Sequence, residues 1–402
     1  MPHNNRQNIV IIGAGVLGTA IAVNLLQYGA NITIVDKTSQ TQGASRVSFA
    51  WLNASWKTPF DYHDLNRRSM EMWPRYAQSI GGNVGLNLGG TVTWETDQAR
   101  SETLLQNVER AQSFGYPIRI ATKQEIQKQE PNLKIDKILT GSISEIEGHV
   151  EPHRVIQAAI DKITDSGGTV LLNEPFESFE FDSNLKNITA VKTAHRIIPC
   201  DIVVIAAGID TTAIGYDAKA FIPQATSPGV TVRTSPMPKL LNGIVYAPSL
   251  EQYGKEIHMK QLIDGTFLIG EGEQSSKTSD DSQENANRLV EFATQYLPQL
   301  SDAEPRSEPI GYRPMPLDGF PAVGFVEKTP NAYVALTHSG VTLTPIIGEL
   351  ASLEITYGVS TPQLSPFRPT RFKEDGTGGR DEHSNSSQNS LNIDTLRRHG
   401  LD

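Results

Sequence analysis

Residues 9–36 read IVIIGAGVLGTAIAVNLLQYGANITIVD, and this stretch decides the fold. Ile9–Ile12 is an unbroken β-branched run, which is typical of a strand buried on both faces. A glycine-interrupted turn follows, and apolar residues then recur at helical spacing at Leu17, Ile21 and Leu25. A second apolar run ends at Asp36. Strand, turn, helix and strand within about 30 residues predict a βαβ unit, whose two strands must be parallel.

The glycine turn in this unit predicts a dinucleotide-binding site. Gly13, Gly15 and Gly18 form the pattern GxGxxG. The first glycine permits a tight turn, the second lets the backbone approach a pyrophosphate, and the third allows close packing of helix on strand. Val16 and Leu17 open the helix, so we expect the free N–H groups of this helix end to face the phosphates.

An acidic residue ends the second strand of the unit. Asp36 is placed to accept hydrogen bonds from the ribose hydroxyls of an adenosine, and Lys37 beside it is also assigned to the cofactor. The alternative is a glycine turn in an α/β domain that holds no cofactor. NAD and FAD share this fingerprint, so the unit alone does not distinguish them.

Composition and charge exclude several classes of function. At roughly 100–200 residues per domain, the 402 residues predict two domains, or three. Asp and Glu number 45 against 35 Lys and Arg, and this net charge of −10 argues against nucleic acid and anionic membrane surfaces as partners. One cysteine, Cys200, forms neither an intrachain disulfide nor a cysteine-rich metal centre. We therefore expect no metal site and a cytoplasmic location.

One segment imitates a membrane element. Residues 9–26 are almost wholly apolar and as long as the shortest transmembrane helices. Glycines interrupt this run at three places, and Arg6 is the only positive side chain before it. We therefore interpret the run as a buried strand and helix rather than as an export signal or an integral membrane segment.

The rest of the chain alternates between helical and extended patterns. Helices are predicted over residues 61–80, 98–114 and 152–166, and strands over residues 85–95, 187–194 and 201–208. Several short strands are expected between residues 230 and 272, where Asp264-Gly265 is a hairpin signal. Residues 373–402 lack an apolar periodicity and are predicted to be a disordered tail.

Three features favour FAD over NAD. The glycine motif lies close to the first residues that are expected to be ordered. Ala44, Ser45 and Arg46 follow the second strand, where small residues, a hydroxyl and a cation can contact a pyrophosphate, although a solvated loop is the alternative. A late apolar strand runs into Ala207 and Gly208, as expected of a strand that closes the domain beneath the adenosine.

Two C-terminal stretches carry a family resemblance. Residues 311–321 read GYRPMPLDGFP, and residues 337–345 read THSGVTLTP. With the N-terminal glycine motif, they resemble the D-amino-acid oxidase superfamily of FAD-dependent amine oxidoreductases over about residues 6–372. Glycine oxidase and bacterial D-amino-acid dehydrogenase are the most similar members, since both carry Arg-Pro followed by Asp-Gly.

The resemblance implies a bilobed α/β fold: a Rossmann-like FAD/NAD(P)-binding domain with an inserted, mostly antiparallel substrate domain. The FAD-binding domain is then assembled from residues 6–85, 142–222 and 309–372. The substrate domain is assembled from residues 86–141 and 223–308.

The resemblance also assigns a substrate-binding residue. The arginine before the proline, which is Arg313 here, pairs with the substrate carboxylate in this family. A guanidinium group is planar and always charged, so it can hold a carboxylate by two parallel hydrogen bonds. That contact would place the substrate Cα–H over flavin N5 for hydride transfer. The alternative is a structural ion pair between Arg313 and a neighbouring carboxylate.

The second C-terminal stretch is implied to contact the flavin. Residues His338, Ser339, Gly340, Val341, Thr342, Leu343 and Thr344 would lead into a helix over residues 346–355, whose N-terminus favours negative charge on the reduced flavin. A glycine loop that merely caps a buried helix is the alternative. The resemblance places Ala50, Trp51, Phe176 and Arg313 beside the cofactor as well.

Five further positions bear on the chemistry. His258 lies where the family has an active-site tyrosine, and it is either a substrate-binding residue or a sheet-surface residue. His338 either faces the flavin or simply packs, and Trp51 either lines the pocket or belongs to the core. Cys200 does not match the flavin-linking cysteine of sarcosine oxidases, so FAD is expected to be noncovalent. Their oxygen-activating lysine has no counterpart here, since Leu268 falls near its position, so the electron acceptor is oxygen or another compound.

These observations predict a FAD-dependent oxidoreductase that acts on a small amino or imino acid. Hydride transfer from Cα to flavin N5 would give an imine, which water hydrolyses to a 2-oxo acid. The alternatives are a 2-hydroxy acid dehydrogenase on the same scaffold and a flavin-binding protein without turnover.

Overall fold

The computed structural model describes residues 6–39, 42–250, 253–271, 280–374 and 378–380. Its N-terminal part is the predicted βαβ unit. Strands β1 (Asn8–Ile12) and β2 (Asn31–Val35) are parallel neighbours, and helix α1 (Val16–Gln27) connects them. The strands are buried because the sheet is covered on both faces, which explains their continuous apolar sequence.

The further elements follow in chain order. The helices are α2 (Gly43–Val47), α3 (Phe60–Ile80), α4 (Gln98–Ser113), α5 (Lys123–Gln129), α6 (Pro152–Asp165), α7 (Thr211–Asp217), α8 (Gln283–Thr294) and α9 (Gly340–Tyr357). The strands are β3 (Trp51–Leu52), β4 (Thr91–Glu95), β5 (Ile118–Ile120), β6 (Thr140–Ser144), β7 (Gly148–His149), β8 (Thr169–Leu171), β9 (Phe176–Phe181), β10 (Ile188–Thr193), β11 (Ile197–Pro199), β12 (Ile202–Ile205), β13 (Gln224–Gly229), β14 (Thr231–Thr234), β15 (Ile244–Ala247), β16 (Ile257–Gln261), β17 (Phe267–Glu271), β18 (Pro305–Ser307), β19 (Gly311–Pro316), β20 (Ala322–Val326) and β21 (Thr329–Leu336).

A six-stranded sheet carries the glycine turn. Its strand order is β20-β21-β12-β1-β2-β8, and all neighbours are parallel except β20 and β21. Helices α1, α3, α6 and α9 contribute to the apolar core on one face of this sheet. A second core covers the other face and contains Cys200, which is 8% exposed. Burial raises the pKa of the Cys200 thiol to about 12, so it acts as a small apolar side chain.

A second, eight-stranded sheet is separate from the six-stranded one. Its order is β18-β14-β17-β16-β15-β4-β6-β5, and every pair is antiparallel except β15 and β4. Helix α8 packs on the core of this sheet. The Asp264-Gly265 turn joins β16 to β17, as the hairpin signal predicts. The expected boundary between the substrate-domain segment 86–141 and the FAD-domain segment 142–222 falls inside strand β6 of this sheet.

The parallel sheet with its helices and the mostly antiparallel sheet confirm the predicted fold class. Three local features differ from expectation. Strand β4 covers only Thr91–Glu95 of the predicted residues 85–95, because Gly90, at φ +83°, interrupts the extended backbone. Helix α9 begins at Gly340 rather than at residue 346 and contains Pro345 in its second turn, because the single backbone hydrogen bond that the proline removes does not end an 18-residue helix. In the predicted tail, Arg380 pairs with Asp61 at 2.8 Å and lies over the ring of Phe320. Residues 375–377 and 381–402 of that tail lie outside the described residues.

Helices that combine the length and the apolar character needed to cross a bilayer do not occur among the residues the structure describes.

Candidate active site

A cavity of 1380 Å³ extends from the glycine turn to the eight-stranded sheet. Ligand pockets commonly measure roughly 300–1,000 Å³, so this one is large enough for a dinucleotide and a small substrate together. Of the residues assigned from the sequence, its walls contain Gly13, Gly15, Val16, Leu17, Asp36, Lys37, Ala44, Ser45, Arg46, Ala50, Trp51, Phe176, Ala207, Gly208, His258, Arg313, His338, Ser339, Gly340, Val341 and Thr342. Gly18, Leu343 and Thr344 lie outside these walls.

The three glycines of the turn have different surroundings. A Cβ at Gly13, where φ is +111°, would lie 2.3 Å from the carbonyl oxygen of Ala206, and one at Gly18 would lie 2.0 Å from that of Gly13. These two glycines are needed for close backbone packing. A Cβ at Gly15 would instead meet only the Ser45 hydroxyl, 3.5 Å away. The space at Gly15 is thus an open cradle of the kind that a pyrophosphate fills.

Asp36 lines the cavity beside the glycine turn and also holds that turn. Its Oδ2 accepts a hydrogen bond from the Ala14 N–H at 2.7 Å. Its Oδ1 accepts from the Thr38 N–H at 2.8 Å and from the Thr38 hydroxyl at 2.7 Å. Carboxylate oxygens have further lone pairs, so Asp36 can still accept from a ribose. Lys37 forms an ion pair with Asp210 at 2.7 Å across the same end of the cavity.

The N-terminus of helix α9 forms another wall. Residues 338–342 line the cavity, whereas Leu343 is fully buried and the Thr344 hydroxyl donates to the Gly340 carbonyl at 2.7 Å. The hydroxyl of Tyr62 bonds to that of Ser339 at 2.8 Å, which fixes the helix end. The free N–H groups of an 18-residue helix therefore adjoin the cavity, where they favour a negatively charged ligand.

Arg313 projects from β19 beside its partner strand β13. Its Nη1 donates to the Pro228 carbonyl at 3.0 Å and contacts the Ser227 hydroxyl at 3.4 Å. The guanidinium lies directly over Gly229, where a Cβ would be 2.6 Å from Nη2. Burial lowers the pKa of Arg313, although an arginine remains charged. The strand pair thus holds a desolvated cation in the cavity wall.

Two histidines lie within electrostatic range of Arg313, and Lys57 lies within range of one of them, His338. Burial and Arg313 lower the pKa of His258 to about 3, and burial, Lys57 and Arg313 lower that of His338 to about 3. Burial lowers the pKa of Lys57 to about 8, while Glu147 opposes that shift. At neutral pH the two imidazoles are uncharged, and Arg313 and Lys57 make this part of the cavity positive.

Aromatic rings form the wall between the two sheets. The rings of Trp51 and Tyr246 lie 6.0 Å apart, those of Tyr246 and His258 lie 6.3 Å apart and nearly parallel, and Phe49 meets His258 edge-on at 4.2 Å. Trp51 donates from Nε1 to the buried Glu147 carboxylate at 2.9 Å. These rings give the cavity an apolar surface beside the cationic one.

Several cavity residues carry no recognisable signal in the sequence. Lys57, Tyr246 and Glu95 are isolated residues of common types, and Glu147 reaches the site only as the partner of Trp51 and of Tyr116, whose hydroxyl donates to it at 2.9 Å. The alternation of β4, which places Thr93 and Glu95 on one face, is the single pattern that offers a clue.

A parallel sheet with an open glycine cradle, joined to an antiparallel sheet across one cavity, is the arrangement of a dinucleotide-binding protein that has room for a second ligand in the same cavity. A family model described as DAO, FAD dependent oxidoreductase, matches residues 8–352. The chain belongs to this family and is a FAD-dependent oxidoreductase.

Individual relatives extend over nearly the whole chain. One of the subunits of opine oxidase from Agrobacterium tumefaciens (strain Ach5) is 26% identical, and the match covers 91% of this chain and 97% of that subunit. Glycine oxidase of Geobacillus kaustophilus (strain HTA426) is 24% identical with the same coverage. The structure of L-proline dehydrogenase from P. horikoshii superimposes with a TM-score of 0.79 at 24% identity, covering 91% of this chain and 98% of its own.

Proposed function

We propose that the protein oxidises a small amino or imino acid whose carboxylate binds to Arg313, with FAD held noncovalently. The observation that carries this proposal is the position of Arg313, which is partly buried and lies in the same cavity as the N-terminus of α9. Two cations and uncharged imidazoles suit a carboxylate, and the aromatic wall suits an apolar or weakly polar remainder. The relatives named as glycine oxidase and proline dehydrogenase are consistent with such a substrate.

The roles of the protein groups follow from their positions. Arg313 would bind the carboxylate by paired hydrogen bonds, and His258 would hydrogen-bond the same group as an uncharged imidazole. The wall made by Trp51, Tyr246 and Phe49 would exclude water from the Cα–H. FAD, when bound, supplies the acceptor for the hydride from Cα to N5. The imine that results is hydrolysed to a 2-oxo acid with release of ammonia or an amine.

Leu268 bears on the electron acceptor. It is 3% exposed and lies directly across from Lys260 on the neighbouring strand. Because Leu268 falls near the position of the lysine that the family resemblance associates with oxygen, we propose that the electron acceptor is either oxygen or another compound, and we compare oxygen with a dye. The measurement is the rate at which the substrate-reduced protein is reoxidised by each.

The test of the proposed function is anaerobic bleaching of the bound flavin. A panel of amino acids of both configurations, N-alkylated amino acids and 2-hydroxy acids would be added to the FAD-loaded protein, and absorbance near the flavin maximum would be followed. Bleaching by carboxylated amines supports the proposal. Bleaching by 2-hydroxy acids alone would make the protein a hydroxy acid dehydrogenase, and bleaching by none of them would contradict turnover on this substrate class.

A further inference from the structure

The cavity continues beyond Arg313 along one face of the eight-stranded sheet. Strand register places Thr93, Tyr246 and His258 in one row across β4, β15 and β16, since Tyr246 pairs with both Thr93 and His258. Two residues farther along the strands, the next row contains Glu95 on β4 and Glu256 just before β16. Successive rows on one face are roughly 6.5–7 Å apart. All five residues line the cavity, so its outer end carries two carboxylates.

These two carboxylates differ in their partners. Glu256 forms an ion pair with Arg100, which also lines the cavity. Glu95 is 7% exposed, and its Oε2 has no hydrogen-bonding partner within the ranges that the structure describes. A buried carboxylate oxygen without a donor is costly, because it gives up its hydrogen bonds to water and gains none in return. Because Glu95 lines the cavity, a ligand that brings its own donor can supply the partner that this carboxylate lacks.

We propose that Glu95 binds a positively charged group at the end of the substrate that is remote from its carboxylate. This inference rests on the proposed function, because Arg313 and His258 determine which end of the substrate is which. The substrate class is then a carboxylated amine that also carries a distal guanidinium or ammonium group. The carboxylate binds between the strands that hold Arg313 and His258, and the cation reaches the next row of the sheet.

The wall between the two ends suits a cationic chain. Tyr246 lies one row from Glu95, and the ring of Trp51, which also lines the cavity, is 6.0 Å from that of Tyr246. Methylene groups pack well on such rings, and the ring faces also attract a guanidinium or ammonium group. Arg100 pairs with Glu256, the other carboxylate of this row. Among the described residues, no cation lies within hydrogen-bonding distance of Glu95 Oε2.

The first test compares substrates that differ in charge and not in shape. Arginine and citrulline, each in both configurations, present a guanidinium or an uncharged ureido group on the same carbon chain. We expect kcat/KM for arginine to exceed that for citrulline by roughly 30-fold or more, as for a buried charge pair. Glu95→Gln should remove this preference while retaining FAD content. Glu109→Gln, on the exposed surface of α4, is the matched control and should retain the preference.

The second test measures binding without turnover, so that the two proposals can fail separately. The probes are 4-guanidinobutanoate and 4-ureidobutanoate, whose ureido group is uncharged; both carry a carboxylate, lack an α-amine and are followed through the flavin absorption spectrum. Tighter binding of the guanidinium compound, lost in Glu95→Gln, supports the cation site even if no amine is oxidised. Equal affinities in the parent protein, or a preference that survives in Glu95→Gln, would overturn the site even if neutral amino acids are oxidised.

The pH dependence of that binding gives an independent readout. Burial, together with Glu256 and Asp97, raises the pKa of Glu95 to about 7, and Arg100 opposes the shift. Tyr296 also lies within electrostatic range. A guanidinium stays charged throughout, so its advantage over the ureido group should increase between pH 6 and pH 8 as Glu95 ionises. An advantage that does not change over this range would contradict the assignment to Glu95.

Discussion

The imidazole of His258 lies directly across from Gly270 on the neighbouring antiparallel strand, and a Cβ atom at position 270 would lie 2.4 Å from its Nε2 atom. The glycine therefore provides the space into which the ring turns. Phe49 contacts the ring edge-on at 4.2 Å, and Tyr246 lies parallel to it on the next strand. Phe49, Tyr246 and the absence of a side chain at Gly270 thus determine the orientation of His258 toward the cavity.

Gly270→Ala should displace His258 and weaken substrate binding. Misplacement of a positioned group by about 1 Å can cost up to about 100-fold in rate, so we expect kcat/KM to fall by roughly 10- to 100-fold with FAD content unchanged. Steady-state kinetics of the two single variants and the double variant check this. In the His258→Ala background, Gly270→Ala should have almost no further effect, and fully additive losses would contradict the relationship.

Gly15→Val should abolish FAD binding without preventing folding. The valine Cβ would lie 3.5 Å from the Ser45 hydroxyl, an ordinary contact, and the backbone at Gly15 is in an extended conformation that any residue adopts. The branched side chain would, however, occupy the cradle. We expect the thermal unfolding midpoint of the apoprotein to stay near the parental value, while visible absorbance after addition of FAD is lost.

Gly18→Val is the matched comparison, because its Cβ would lie 2.0 Å from the Gly13 carbonyl oxygen and should disrupt the βαβ unit itself. A yellow Gly15→Val protein with stoichiometric FAD would show that the cofactor does not use this cradle.

The sequence predicts those parts of the fold and of the candidate site that depend on residues close together in the chain. The βαβ unit is encoded within residues 9–36, where strand, turn and helix patterns are contiguous, and it is found as predicted. Arg313 and the start of α9 are recognisable through motifs that combine rare residues at short spacing. Helix α9 nevertheless begins earlier than expected, because the loss of one backbone hydrogen bond at Pro345 does not end an 18-residue helix that is buried along most of its length.

The residues that sequence reasoning missed reach the site through long-range pairing. Glu147 bonds to Trp51 across 96 positions of sequence, and Glu95 enters the cavity because β4 pairs in parallel with β15. Nothing near either carboxylate in the sequence specifies those neighbours. Strand register, which the alternation of one strand alone does not determine, decides which polar side chains meet.

Lys260→Met should stabilise the fold. Lys260 is 1% exposed, its Nζ donates to the Val150 carbonyl at 3.1 Å, and burial lowers its pKa to about 7. An unfolded lysine has a pKa of about 10.4, so between pH 7 and pH 10 the unfolded chain binds the extra proton and stability rises with pH. Methionine removes the cost of burying the amine. We therefore expect the free energy of unfolding to rise by on the order of 1 kcal/mol or more at neutral pH.

The measurement is the thermal unfolding midpoint at pH 6.5 and pH 9.5. The gain from Lys260→Met should be larger at the lower pH, where the buried amine must lose a proton or carry an unsolvated charge. Lys134→Met, at a side chain that is 54% exposed, should show no such pH dependence. Destabilisation of Lys260→Met at both pH values would mean that the ammonium is stabilised where it lies.

Lys57 should confer a pH dependence on carboxylate binding. Burial lowers the pKa of Lys57 to about 8, while Glu147 opposes that shift. The neighbouring His338 stays uncharged, and the centre of the Tyr62 ring lies 5.8 Å from Lys57 Nζ. A protonated Lys57 attracts a carboxylate, and this attraction is lost as pH rises past about 8. The dissociation constant of propionate, measured through the flavin spectrum, should therefore increase above pH 8. Lys57→Met should bind more weakly at pH 7 and show little further change, and an unaltered pH profile would contradict this role.

Arg313→Ala tests the carboxylate contact on which the proposed function depends. Loss of one partner of a buried, hydrogen-bonded charge pair typically costs about 2–5 kcal/mol, so kcat/KM should fall by roughly 30- to several-thousand-fold. Lysine should restore only part of this, because a point charge does not reproduce the planar guanidinium. FAD content and spectrum should be unchanged.

Arg233→Ala is the matched control, since Arg233 forms an ion pair with Glu308 at 2.9 Å and lies outside the cavity walls. It should lower stability with little effect on activity per bound flavin. If Arg313→Ala behaved like this control, with near-parental turnover of a carboxylated amine, Arg313 would be a structural residue and the substrate carboxylate would bind elsewhere.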